Sequence, residues 1–284
     1  MGFKLYSKLF ILSCLVSLVS LSSLAQTELP ERSDFRFCKS SLAIGELKSG
    51  EIVDLPLCFQ DADYFSLIAS IEMEQAIEIL AGTGLHPVDF NGKAMLNIAA
   101  LKYGMSTIGS YSEFLVTMIV SEKPDQKNGW WKFFEYFGGT PPKGHGVHVI
   151  KLWVDQDLAL RVGNELWGFN KDFAVMDFAV KPRSSSKIVV NNEYGQPMIE
   201  INSNQGFPLW IPFGQYMAFK VNPADSDLWL NTRFRGNVWY AKFTDDDELK
   251  FFDESTFWGR KLASWNIQPL FMLQGTGIKN QFAY

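Results

Sequence analysis

Lys171 closes the run Gly163-Asn164-Glu165-Leu166-Trp167-Gly168-Phe169-Asn170-Lys171, a single amine behind an apolar, aromatic stretch that carries two glycines. A lysine at its reference pKa of about 10.4 is neutral only about four times in ten thousand at pH 7, and burial among apolar groups favours the uncharged nucleophile. Such an amine attacks a carbonyl carbon and forms a Schiff base. The competing reading of the same nine residues is a surface lysine that begins a turn after a strand. Upstream, Ser110-Tyr111-Ser112-Glu113 places an acid just ahead of an apolar strand-like run from Phe114 to Val120.

Strand-like segments position these groups. Tyr64 to Ala69 reads as a strand, Met73, Ile77 and Leu80 as one face of a short helix ended by Gly82, and Ala94 to Leu101 and Phe114 to Val120 as buried strands. Ile188 to Val190 and Met198 to Ile201 flank a turn-rich Asn191-Asn192-Glu193-Tyr194-Gly195 as a hairpin. Leu228 to Phe234 and Val238 to Phe243 read as another pair, split at Gly236-Asn237. Many short strands with few helices indicate a mainly β (α+β) single domain, an antiparallel barrel or sandwich with helical additions.

Residues 1–25 read as a secretory signal: Lys4 and Lys8, an apolar core from Leu9 to Leu24, and a small-residue site at Ser23-Leu24-Ala25. The apolar core falls short of the roughly 20 residues that a spanning helix needs, and no later segment could cross a bilayer as a helix. The protein is therefore expected to be exported, periplasmic or secreted. Cleavage would remove both lysines and move the formal net charge from −5 to −7, which argues against nucleic acid or an anionic membrane surface as partner. Hydrophobic residues at 47% allow a full core. Cys38 and Cys58 would remain in an oxidising compartment, and a disulfide between them, tying down an arm over residues 26–61, is the first expectation; two free thiols are the alternative.

Ordered motifs resemble the acetoacetate decarboxylase family. The family signature, Gly-Arg-Glu, an aromatic-containing spacer and Pro-Lys-Lys, is similar to Gly163-Asn164-Glu165 through Lys171-Asp172. Its Tyr-x-Glu segment is similar to Tyr111-Ser112-Glu113, and its Glu-Tyr-Phe strand start to Asp63-Tyr64-Phe65. The resemblance covers about residues 60 to 275 and sets the domain at 62–284. It implies a cone-like antiparallel β-barrel that encloses a pocket, an imine-forming Lys171, and Glu113 as the acid that positions or shuttles protons. Tyr111, Glu165, Asn97, Trp167 and Phe169 would line or support the pocket. The implied ligand is a small carbonyl compound such as a keto acid, with decarboxylation, aldol or dehydration chemistry and no cofactor; a homo-oligomer is compatible with it.

Three positions depart from the family pattern. Asp172 replaces a second lysine, Ala62 stands where an arginine holds the substrate carboxylate, and Asn97 aligns with a second glutamate. An anion at Asp172 would favour a charged Lys171 if both faced one cavity, whereas successive strand residues point to opposite faces. The alternative function is a non-catalytic small-molecule binding protein of the same fold, favoured if a carboxylate holds the amine as an ion pair.

Elsewhere, His145 and His148 have metal-like spacing but no acidic cluster beside them, so they are read as flanking a strand and no metal is expected. Asp245-Asp246-Asp247-Glu248 reads as a solvated hairpin tip. The segment Trp130 to Phe137 reads as core, lid, subunit contact or membrane-touching loop.

Overall fold

The computed structural model describes residues 43–124, 136, 142–181, 183–204, 209–220, 229–252 and 254–283. The signal segment 1–25, Cys38 and, apart from Tyr136, the aromatic run Trp130 to Phe137 lie outside the described residues. The fold is mainly β. A small hairpin, β1 (Ala43–Glu46) with β2 (Ile52–Leu55), precedes β3 (Leu57–Glu72) and the short helix α1 (Met73–Ile79). Then come β4 (His86–Pro87), β5 (Lys93–Ser106), β6 (Tyr111–Ser121) and β7 (His145–Val154). Helix α2 (Asp157–Leu166) leads into β8 (Lys171–Val180), β9 (Ser186–Asn192) and β10 (Pro197–Ser203). The chain ends with β11 (Leu209–Lys220), β12 (Trp229–Lys242), β13 (Glu248–Phe251), α3 (Phe257–Ala263) and β14 (Gln268–Ala283).

One twelve-stranded sheet runs β13-β10-β9-β8-β7-β11-β12-β14-β3-β5-β6-β4, and β6 also pairs with β7. The sheet is mixed, which corrects the expectation of a purely antiparallel one: β7 pairs in parallel with both β8 and β11. The β7-to-β8 link carries α2, the kind of crossover that parallel neighbours require.

β6 shows why a charged group at Glu113 is informative. Every residue of this strand is buried, so both of its faces are covered. Tyr111 and Leu115 point into one apolar core with Leu101, Leu152, Trp167 and Phe169, whereas Phe114, Val116 and Met118 point into a second core with Trp153, Ile188 and Val190.

Several local expectations change. The boundary expected between residues 61 and 62 falls inside β3, which begins at Leu57. In α1 the buried residue is Ala76, followed by a buried Leu80 at the C-cap, and Ile77 is exposed, because the helix rests on its edge through Ala76 rather than through Ile77. The pair expected on either side of Gly236-Asn237 is one continuous strand, β12. Gly236 is there for space: a Cβ on it would sit 2.2 Å from Ile278 Cδ1 on β14, where the register shifts by a residue. Asp247 is a buried acceptor rather than part of a solvated tip. It takes the backbone N–H groups of Asn204 and Thr244, both at 2.9 Å, and the Thr244 hydroxyl at 3.1 Å. Among the described residues no group of side chains could hold a metal ion, and no helix is long and apolar enough to cross a membrane.

Candidate functional site

Lys171 is the first residue of β8, and its Nζ lies 3.2 Å from Glu113 Oε2 on β6, two strands away. Both side chains are almost wholly buried, at 4% and 7% exposure. They open onto a pocket lined also by Phe59, Leu101, Tyr111, Leu115, Val149, Leu152, Trp167, Phe169 and Phe234. Lys171 and Glu113 are the charged groups among its described lining residues. Taking two charges out of water costs several kcal/mol per ion, so a buried pair on apolar walls is a poor stabiliser and a marker of function.

The turn before Lys171 is what aims it. α2 ends at Trp167, Gly168 adopts a left-handed conformation (φ 65°), and Phe169 N–H bonds back to the Gly163 carbonyl at 3.0 Å. Asn164 then holds the Lys171 backbone at two points. Its Oδ1 accepts from Lys171 N–H at 2.8 Å, and its Nδ2 donates to the Lys171 carbonyl at 3.1 Å. The amine tail lies across the helix at Gly163, where a Cβ would be 2.1 Å from Lys171 Cε. Both glycines of the opening run thus have separate reasons: Gly168 for the turn, Gly163 for room.

β6 is aimed by the link between β7 and α2. Asp155 accepts from Ser112 N–H at 2.6 Å, and Gln156 donates to the Ile108 carbonyl at 2.8 Å. Tyr111 packs on Tyr103 and Phe59, with ring centroids 4.9 and 6.2 Å away. Burial pushes the hydroxyls of Tyr103 and Tyr111 well above the usual tyrosine range, and the Glu113 carboxylate pushes both further. They remain neutral hydroxyls beside the acid at working pH.

The other expected site residues divide between the pocket and positions away from it. Trp167 and Phe169 line the pocket, and Lys171 Nζ is 5.8 Å from the centre of the Phe169 ring. Glu165 instead accepts from Lys48 N–H at 2.6 Å, linking α2 to the β1–β2 hairpin. Asn97 accepts from the Ser66 hydroxyl at 2.6 Å and is not among the described lining residues. Ala62, where the family resemblance led to expecting an arginine, is fully buried on β3. Cys58 is buried in the same strand. His148 is buried within β7, and His145 begins that strand.

Asp172 points away from the pocket. Its Oδ2 meets Lys151 Nζ at 2.6 Å, on the opposite face of β7 and β8. Sequence reasoning missed Lys151 altogether. A lone lysine inside His148-Val149-Ile150-Lys151-Leu152-Trp153-Val154 was the available sign, because an ammonium in so apolar a strand demands a partner.

The sequence model of the family described as acetoacetate decarboxylase (ADC) matches residues 43–207. No curated protein matches the sequence. Among solved structures, the fold is similar to that of an acetoacetate decarboxylase from Legionella pneumophila subsp. pneumophila str. Philadelphia 1. That comparison gives a TM-score of 0.50 at 12% identity and covers 81% of this chain and 85% of that one. It is also similar to the enduracididine biosynthesis enzyme MppR. The form with HEPES buffer bound has a TM-score of 0.51 at 12% identity, covering 87% and 96% of the two chains. The form complexed with pyruvate has a TM-score of 0.50 at 12% identity, covering 84% and 93%. These likenesses concern the fold, while the family match spans the strands and the helix that carry Glu113 and Lys171; this chain belongs to the acetoacetate decarboxylase family.

Proposed function

We propose that this protein is a Schiff-base enzyme acting on a small carbonyl compound, with Lys171 as the amine and Glu113 as its proton partner, inside a pocket enclosed by a cone-like β-barrel. The observation that carries the reading is the buried 3.2 Å contact between the two side chains at an apolar pocket. That distance lies within reach for proton transfer. Glu113 takes a proton from the ammonium, and the freed amine attacks the carbonyl carbon. Glu113 returns the proton to the carbinolamine oxygen, which leaves as water. The cationic imine then draws the electron pair of an adjacent C–C or C–H bond toward nitrogen. From a β-keto acid carboxylate this step releases carbon dioxide, and from a β-hydroxy carbonyl, with Glu113 taking the hydroxyl proton, it cleaves an aldol. The enamine left in either case takes a proton on carbon, from water or from Glu113, and hydrolysis of the resulting imine returns the amine.

The test is borohydride trapping with acetoacetate, pyruvate, acetone and acetaldehyde, read by peptide mass spectrometry. A reduced adduct on Lys171, absent from Lys171→Met, is the expected result; no adduct from any of the four overturns the proposal. A non-catalytic binding protein of the same fold is the second reading. It is favoured by the same contact, because a carboxylate at 3.2 Å also acts as a fixed counterion for a protonated amine. Ligand binding without trapping would select it.

The proposal extends to location. Residues 1–25 serve as an export signal, and Cys38 joins Cys58 outside the cytoplasm, a link worth about 3 kcal/mol in the chain-entropy model. The exported protein should begin at Gln26 and carry no reactive thiol in its native form. A retained N-terminus or two free thiols would refute this part.

A further inference from the structure

We propose that Lys151 is a positioning residue for Lys171: from the opposite face of the sheet it grips both chain neighbours of that lysine and neutralises the carboxylate of Asp172. The inference rests on the reading of Lys171 as the reactive amine. Lys151 Nζ donates to the Asn170 carbonyl at 3.0 Å, to Asn170 Oδ1 at 3.2 Å and to Asp172 Oδ2 at 2.6 Å. An ammonium has three N–H donors, and these contacts use all of them. The side chain is 2% exposed and lies 5.9 Å from the ring centre of Trp153 and 5.6 Å from that of Trp258. With every donor engaged and no opening to the pocket, Lys151 serves as a fixed cation and not as a second nucleophile.

The sheet puts it there by a one-residue irregularity. The β6–β7 register shifts between Val116, which faces Lys151, and Thr117, which faces Val149, leaving Ile150 as the extra residue. Val149 and Leu152 consequently both line the pocket although they are three positions apart. A regular strand from Val149 would send Lys151 into the pocket and Leu152 out of it. The bulge therefore separates two buried lysines onto two faces of the sheet.

Two consequences follow for Lys171. Asn170 and Asp172 are pinned by one group, which together with the two bonds from Asn164 fixes the backbone on both sides of the amine. In addition, the charge next to it in sequence is cancelled. The titratable groups on the pocket side are Glu113 and Tyr111 from β6, with Tyr103 of β5 and Asp155 close enough to act on Tyr111; across the sheet they are Asp172 and Lys151. Without Lys151, Asp172 would stand as an uncompensated anion next to Lys171 in sequence, in addition to the paired Glu113.

Trace acetylation with acetic anhydride across pH, read at Lys171 by peptide mass spectrometry, reports the midpoint at which this amine becomes nucleophilic. It does not depend on any carbonyl substrate, so its failure is distinct from a failure of imine trapping. Lys151→Met should move the midpoint up by about half a pH unit, a Coulomb effect reduced because Asp172 is half in solvent. Asp172→Asn, at a side chain half in solvent, leaves Lys151 uncompensated and should move it down. Lys151→Met with Asp172→Asn should bring it back to within about 0.3 unit of the parent. An unchanged midpoint in a folded Lys151→Met protein overturns the proposal, as does a double variant that stays shifted. Should Lys151→Met not fold, Asp172→Asn decides alone, and an unchanged midpoint there refutes the coupling.

Discussion

Replacing Gly163 by alanine should disable the amine and leave the fold standing. A methyl group there would meet Lys171 Cε at 2.1 Å, Cδ at 2.4 Å and Nζ at 2.9 Å, where ordinary contact begins at 3.4 Å. The lysine tail must retreat by about 1.3 Å, and its walls include Trp167 and Phe169, so the group displaced is the amine itself. A shift of that size opens the 3.2 Å contact with Glu113 and should slow imine formation by about a hundredfold. Stability changes much less. Alanine within a helix gains about 1 kcal/mol over glycine, against ~1–3 kcal/mol for overpacking, a net loss of about 0–2 kcal/mol from the ~5–15 that hold a typical domain. The assay pairs the rate of borohydride trapping with urea denaturation of the same sample. Trapping within about threefold of the parent rate would refute the geometric argument. A loss of trapping matched by a loss of fold would show that the glycine serves packing alone.

Other perturbations test the site's energetics. Lys171→Met strands a buried carboxylate at Glu113 and should cost about 3–5 kcal/mol in denaturant, most of which returns when Glu113→Gln is added; equal stability of Lys171→Met and parent would contradict the ion pair. Burial, partly offset by a hydrogen bond with Ser66, pushes the Tyr64 hydroxyl up from 10.0 to about 12, and Tyr103 and Tyr111 shift in the same direction. The folded state thus holds protons that the unfolded chain releases, so this stability is full below pH 10 and falls as pH rises through about 12. Tyr64→Phe should flatten that alkaline decline in a series of unfolding curves, and an unchanged slope would refute the assignment.

Much of the site was legible because its chemistry is unusual where it stands. A lone lysine after an aromatic run is an unusual placement, Glu113 was singled out by the likeness of Tyr111-Ser112-Glu113 to a family motif, and the two side chains meet in the folded protein. The buried strands β5 and β6 and the β9–β10 hairpin were also legible, since burial and turn chemistry are local properties. Helix α2 was not. It carries no side-chain cap at Gln156 to mark its start, although Leu158, Val162 and Leu166 form an apolar stripe that packs on the core. The run from Gly163 can therefore be read as a strand ahead of a turn, although Gly163 to Leu166 is the last turn of a helix. Gly236 misled for a related reason: a glycine required by a neighbour's Ile278 has the same one-letter sign as a glycine required by a turn.

The sequence by itself determined which groups could react, the order in which they occur along the chain and the β-rich elements that carry them, because composition and periodicity report burial. The tertiary structure decided which of two buried lysines faces the pocket, what answers the charge of Asp172 and why Gly163 has no side chain. Each of these depends on contacts between segments far apart in sequence. A single extra residue at Ile150 sends Lys151 to one face of the sheet while Lys171 stays on the other, and no local pattern encodes that turn of the strand.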